Sequence, residues 1–116
     1  MSDSRRDRDY LDDIAEAMRR ILAYTDGLSY EGFLADPKTQ DAVIRNLQVM
    51  GDAAKKLSTS LKQAHPLIPW KEMAGTRDRI VHEYFGINYD IVWTVARGEL
   101  SSLLPRVDAL RTATKR

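Results

Sequence analysis

Apolar residues recur every three or four positions along most of the chain, which is the spacing of one face of an α-helix. Over residues 7–25 the charged side chains fall on the opposite face, so the pattern predicts an amphipathic helix. Its apolar positions are Leu11, Ile14, Met18, Ile21 and Leu22. Gly27 follows this segment and is typical of a helix C-terminus. Residues 29–35 are expected to form a turn or a small helix.

A second long helix is predicted from Pro37 to about Lys62, with Asp36 as its N-cap. Its apolar positions alternate in steps of four and three, which is a heptad pattern. They are Val43, Leu47, Met50, Ala54, Leu57 and Leu61. Because the pattern covers fewer than about four heptads, it favours the core of a bundle over a coiled coil.

Prolines delimit the remaining helices. Residues 65–69 contain two prolines and cannot continue a helix, whereas Pro69 can open one over residues 70–85. Asn88 is a suitable cap for the last helix, and Pro105 should either kink that helix or mark where two helices meet. No strand-like alternation of useful length is present. Four longer helices and a short one predict an all-α, up-and-down helical bundle.

Composition narrows the class of protein. The 116 residues are 43% hydrophobic and 30% charged, which fits a single domain over residues 1–116, with tails at 1–6 and 112–116 expected to fray. The net charge is +1, so any contact with nucleic acid must come from a local patch. The absence of cysteine excludes disulfides, thiolate zinc sites and cysteine nucleophiles. With no signal-peptide pattern and no apolar run near the roughly 18 residues that span a bilayer, we expect a cytoplasmic protein without membrane contact.

The side chains best suited to catalysis or ligand binding are concentrated in residues 77–84, Arg-Asp-Arg-Ile-Val-His-Glu-Tyr. Arginine binds phosphate with a planar, permanently charged fork, and histidine transfers protons near neutral pH. Such a set could bind and cleave a phosphodiester, or it could be an ordinary charged face. On a regular helix His82 would point roughly 140° away from Arg77. Either the helix distorts near its end, or a symmetric dimer brings two Arg/His sets into one cleft.

The run Arg77-x4-His82-x-Tyr84 resembles the R-x4-H-x-Y signature of HepT-like toxins, in the HEPN superfamily of small helical ribonucleases. Asp78 matches the polar residue that usually follows the arginine. Residues 45–58 and the residues on both sides of the motif also resemble family blocks, with Asp52 where glutamate is more common. The resemblance covers nearly the whole chain and implies a HEPN-like bundle.

The resemblance also implies an activity, namely a homodimer that cuts RNA in a cleft between its subunits, without a metal or a cofactor. Arg77 would hold the scissile phosphate and stabilise the transition state. His82 would act as general base or acid on the 2′-hydroxyl or the leaving oxygen, and Asp78 could orient one of these groups. The implied partner is a minimal nucleotidyltransferase antitoxin that attaches AMP to Tyr84. The added phosphate and bulk would block the site and repel RNA.

Four further residues are candidates for RNA contact, and each also has a purely structural interpretation. They are Arg79, Lys71, Arg45 and Asn46. Arg79 and Lys71 could be solvated, and Arg45 could belong to a solvated face together with Lys55 and Lys56. Asn46 could line the cleft or face water. Arg77 itself could be paired with a nearby carboxylate.

Two other functions stay open at this point. The chain could be a non-catalytic module whose Arg/His face binds a nucleotidyltransferase or a nucleotide, so that RNA is never cut. It could also be a nucleotide-binding regulator in which Arg77 holds a phosphate, although the sequence has no glycine-rich phosphate loop.

Overall fold

The computed structural model describes residues 3–82 and 86–115, and over these residues the chain is almost entirely helical. The helices are α1 (Asp3–Thr25), α2 (Tyr30–Leu34), α3 (Pro37–Lys56), α4 (Thr59–Ala64), α5 (Trp70–Ala74), α6 (Thr76–Ile80), α7 (Tyr89–Thr94) and α8 (Leu100–Ala113). A π-helical turn, Val95–Glu99, joins α7 to α8, and two short strands, β1 (Val81–His82) and β2 (Gly86–Ile87), follow α6. The predicted all-α class is confirmed. None of the helices in the described ranges is long and apolar enough to cross a membrane.

The core lies where α1 packs lengthwise on α3, with α8 on another side of α1. The apolar positions predicted from periodicity are the ones that line it. Leu11, Ile14, Met18, Ile21, Val43, Leu47, Met50, Ala54 and Leu57 are buried, and Leu22 and Leu61 are partly buried against them. Helical periodicity therefore located most of the core, because one face of each helix has to leave water.

The predicted helix from Pro37 to Lys62 is interrupted, so its C-terminal boundary is wrong. Helix α3 ends at Lys56, Leu57 is extended, and the Ser58 hydroxyl caps α4 by accepting the Leu61 N–H at 3.2 Å. The cause lies in α1, where the buried Asp7 carboxylate accepts the Ser58 N–H at 2.8 Å and the Ser58 hydroxyl at 2.5 Å. A continuous helix would bond the Ser58 N–H within α3, so this long-range contact favours the break.

Substitution Asp7→Ala should lower the free energy of unfolding by about 1–3 kcal/mol, because it leaves the Ser58 donors without their buried acceptor. Urea unfolding followed by circular dichroism measures the change. Asp13→Ala is the matched control, since Asp13 is an exposed carboxylate on the same helix, and its effect should stay within about 0.5 kcal/mol. Equal losses in both variants would contradict the capping role of Asp7.

The predicted helix over residues 70–85 is also wrong in its extent. It is divided into α5 and α6 at Gly75 and ends at Ile80. The Ile80 carbonyl accepts the Asn88 N–H at 2.7 Å, a bond that draws the chain out of the helix. Strands β1 and β2 then pair antiparallel, with Val81 opposite Ile87 and His82 opposite Gly86. Gly86 has φ +76°, a conformation that glycine adopts without strain.

The last helical segment is nearly as predicted. Asn88 caps α7 by accepting the Ile91 N–H at 3.2 Å. Pro105 lies inside α8, which continues through it, so the junction between helices is the π turn upstream and not the proline. Helices α1 and α8 include residues 3–6 and 112–113, and fraying of these tails stays a prediction.

Candidate functional site

Arg77 stands on the exposed side of α6. Its guanidinium has no hydrogen-bond or ion-pair partner among the residues that the structure describes, so the predicted alternative of a structural salt bridge finds no partner there. The start of α6 is fixed by Thr76, whose buried hydroxyl donates to the Met73 carbonyl at 2.8 Å. Arg77 is thus an exposed cation on a well-anchored helix.

A shallow cleft of about 120 Å³ lies beside Arg77, between α3 and the segment formed by α5 and α6. We call it the Arg77 cleft, and its lining residues are Arg45, Leu47, Gln48, Gly51, Asp52, Lys55, Ala74 and Arg77. Three cations and one carboxylate therefore share one small concavity. Such a concentration of positive charge suits an anion, and arginine in particular suits a phosphate.

Gly51 determines how closely α3 approaches α5. A Cβ atom at this buried position would lie 3.2 Å from the Met73 carbonyl oxygen and 3.6 Å from that of Ala74. The neighbouring atoms are backbone and cannot rotate away, so a larger side chain would push α5 outward. The absence of a side chain at Gly51 is what allows the polar residues of α3 to share a cleft with Arg77.

The end of α6 at Ile80 changes the relation between Arg77 and His82. Val81 is extended, with φ −99° and ψ 125°, and the backbone of His82 belongs to β1. The angle of roughly 140° expected on a regular helix therefore does not apply, and the predicted distortion near the helix end is present. The side chain of His82 and the whole of Tyr84 lie outside the described residues. Convergence of two copies stays a prediction.

The other predicted site residues are distributed unevenly. Asp78 and Lys71 are exposed but do not line the Arg77 cleft, whereas Arg45 does. Asn46 is buried, and its amide donates to the Ala42 carbonyl of its own helix at 2.9 Å.

Arg79 faces away from the Arg77 cleft. It forms a two-pronged pair with Glu99 of the π turn, at 3.1 and 3.3 Å, and it borders a separate small cavity with Glu72. The hydrogen bonds that Arg79 donates to the Glu99 carboxylate raise the pKa of Arg79 above its ordinary value. Its guanidinium holds α6 to the π turn and is not presented beside Arg77.

Lys55 and Gln48 also line the cleft. The sequence favours a solvated face for Lys55, with phosphate binding as the alternative, and it predicts no role for Gln48. Asp52 also lies in the cleft. A signal was available, because these residues and Arg45 follow the three-four-three spacing of one polar helix face. Nothing in that spacing, however, indicates that Arg77 comes to the same face. Within the described residues, no group of three or more His, Asp or Glu side chains is placed to hold a metal ion.

The known proteins that this chain resembles in sequence are described as ribonucleases. The family model described as "Ribonuclease HepT-like" matches residues 14–110. "Probable ribonuclease HepT" of Thermococcus cleftensis is 43% identical over 104 residues, which are 90% of this chain and 94% of the relative. A "Putative RNase" of Methanocaldococcus jannaschii is 40% identical, over 89% of this chain and 85% of the relative. Another "Putative RNase", from Caldanaerobacter subterraneus subsp. tengcongensis, is 38% identical, over 86% and 89%.

No solved structure is significantly similar to the chain. The family match nevertheless covers most of the sequence, including the helix that carries Arg77 and the strand that carries His82. The three relatives match over most of their own lengths, so the similarity is that of whole domains. The chain therefore belongs to the HepT-like ribonuclease family.

Proposed function

We propose that this chain is a metal-independent endoribonuclease that uses Arg77 and His82. The observation that carries the proposal is the exposed Arg77, without a partner among the described residues, in a cleft that it shares with Arg45 and Lys55. The relatives that match over most of their length are named as ribonucleases, which supports the same class of reaction. The substrate is then an RNA phosphodiester, and the site binds its phosphate first.

The chemistry needs a phosphate clamp and a proton carrier. The ribose 2′-oxygen attacks the phosphorus and forms a P–O bond while its proton passes to a general base. The bond from phosphorus to the 5′-oxygen breaks, and a general acid protonates that oxygen. The products are a 2′,3′-cyclic phosphate and a 5′-hydroxyl. Arg77 holds the phosphate and offsets the charge that builds up on its oxygens, His82 serves as base or acid, and Asp78 orients one of them.

The same reaction explains why a homodimer is part of the proposal. One histidine cannot easily remove a proton from one oxygen and protonate another on the opposite side of the phosphorus. A two-fold axis beside the Arg77 cleft would supply a second Arg77 and a second His82 to the same phosphate. The dimer would work in the cytoplasm, where RNA is available.

We further propose that the enzyme is the toxin of a toxin–antitoxin pair. The partner would be a minimal nucleotidyltransferase that attaches AMP to Tyr84, two residues after His82. A phosphodiester-linked nucleotide adds negative charge and bulk, so it would occupy the cations that RNA needs. Cleavage would stop without any change of fold.

The deciding experiment is cleavage of total RNA in EDTA by the wild-type protein and by His82→Ala. We expect activity in the wild type and a loss of roughly 10²–10⁴-fold in the variant, which is the usual contribution of a positioned proton carrier. His65→Ala is the matched control, because His65 is the other histidine of the chain and is exposed in the loop before α5. It should cleave RNA like the wild type.

The mass of the intact wild-type chain is recorded in the same preparation. An unmodified chain that does not cut RNA contradicts the enzyme and leaves a binding module for a nucleotidyltransferase. A chain that is inactive and heavier by one or more AMP units is the silenced toxin, and removal of the AMP should restore cleavage.

A further inference from the structure

Helix α3 presents a polar stripe to the Arg77 cleft. The stripe consists of Arg45, Gln48, Asp52 and Lys55. At 3.6 residues per turn these positions fall within an arc of about 80°, and at 1.5 Å per residue the two cations are separated by about 15 Å along the axis. Gly51, which packs against the end of α5, lies between them in the sequence. The stripe therefore extends along α3 to both sides of its contact with α5.

The two cations of the stripe are not used in folding. Arg45 and Lys55 are exposed, and neither has a hydrogen bond or an ion pair within the part of the chain that the structure describes. In contrast, five other arginines hold carboxylates, namely Arg8, Arg19, Arg20, Arg79 and Arg111. The net charge of the whole chain is only +1, so the three cations and one carboxylate of the Arg77 cleft are a local concentration of positive charge. Their charge is available to a ligand.

The dimensions and lining of the cleft indicate the kind of ligand. The separation of about 15 Å between Arg45 and Lys55 along α3 corresponds to about four nucleotides at the 3.4 Å rise of a stacked strand. Among the residues that the structure describes, the lining contains no aromatic side chain, so this part of the cleft offers no platform for a base. A shallow groove with cations at both ends suits the sugar-phosphate backbone of one strand. Contacts of that kind fix the position of the strand without reading its sequence.

We propose that the α3 stripe is a phosphate-binding track for single-stranded RNA, in which Arg45 and Lys55 hold phosphates on either side of the phosphate held by Arg77. Gln48 donates its amide to the backbone between them. Asp52 keeps the strand from settling at the centre of the stripe, so the strand leans toward Arg77. This inference rests on the proposed function, because it assigns the substrate contacts of the same site.

The test compares two adjacent lysines on one helix. Lys55→Gln removes a cation of the stripe, whereas Lys56→Gln removes one about 100° around the helix, which lies over the Tyr10 ring and borders a different cavity. Both variants lower the net charge equally. Each is made in the non-cleaving His82→Ala chain, and binding to a labelled 12-nucleotide single-stranded RNA is measured by fluorescence anisotropy at several salt concentrations.

We expect Lys55→Gln to bind roughly two- to fivefold more weakly, as for the loss of one exposed ion pair. The slope of log affinity against log salt should fall by about 0.7, the value for one phosphate contact on a single strand. Lys56→Gln should change neither quantity. The loss should be equal for RNAs of different sequence and for single-stranded DNA, because phosphates are the groups contacted.

Several outcomes would overturn the track. Equal behaviour of the two lysine variants would show that only total charge matters, and tighter binding of a duplex of the same sequence would exclude a single-strand track. Cleavage kinetics of chains with His82 intact distinguish the phosphate-binding track from the proposed ribonuclease activity. If the track exists, Lys55→Gln should raise KM and leave kcat unchanged. An unmodified wild type that never cuts RNA refutes the enzyme, while a difference between the lysine variants in binding would still support the track.

Discussion

Substitution Arg77→Gln should lower kcat for RNA cleavage by roughly 10²–10³-fold, the usual effect of losing one group that stabilises charge in a transition state. Glutamine keeps most of the length of the side chain but has no charge and no fork. Because Arg77 is exposed and has no partner among the described residues, the fold should be unaffected. Initial rates with a short labelled RNA, together with a thermal melt, measure both effects.

Arg79→Gln is the control for this prediction, since it removes the same group two residues away on the same helix. Arg79 is paired with Glu99, and breaking that partly exposed pair should cost at most about 1 kcal/mol of stability. Its cleavage rate should stay close to that of the wild type. Arg77→Lys should retain part of the activity, because lysine keeps the charge but loses the planar fork. Equal activity losses at Arg77 and Arg79 would mean that general positive charge, and not the position of Arg77, promotes cleavage.

Substitution Phe33→Ala should lower the free energy of unfolding by about 3–5 kcal/mol, the usual cost of removing a fully buried aromatic ring. Phe33 is completely buried, and its ring lies 5.2 Å from that of Trp93 and 6.3 Å edge-on from that of Tyr89. These contacts hold α2 against α7. A cavity left there cannot be filled by a small movement, because both neighbouring rings are fixed on the same helix, α7. Urea unfolding at fixed temperature gives the value.

Leu34→Ala is the matched control for the core, because Leu34 is the next residue of α2 and is 44% exposed. Its effect should be about 1 kcal/mol or less. Phe33 does not line the Arg77 cleft. The Phe33→Ala variant, studied at a low temperature at which it is still folded, should therefore bind RNA like the wild type. If Phe33→Ala and Leu34→Ala were equally stable, the aromatic cluster would not be a main support of the core.

Features that depend on neighbours within one or two helical turns could be predicted from the sequence. The periodicity of α1 and α3 predicted the buried faces, because each helix must turn its apolar side chains inward. The caps at Asp36 and Asn88 were also predicted, since a cap is a contact over three residues. The motif from Arg77 to His82 indicated the family, which the comparisons confirmed.

Features that depend on contacts between distant residues became visible only in the folded chain. The Asp7 carboxylate accepts the Ser58 N–H from 51 residues away and so favours the end of α3. The Asn88 N–H, eight residues beyond Ile80, bonds the Ile80 carbonyl and so favours the end of α6 before His82. Local periodicity cannot show either event, because the helical pattern continues through both breaks. The Arg77 cleft likewise exists because Gly51 lets two segments meet. Spacing along a helix shows which residues share its face, and only packing shows which other helix that face meets.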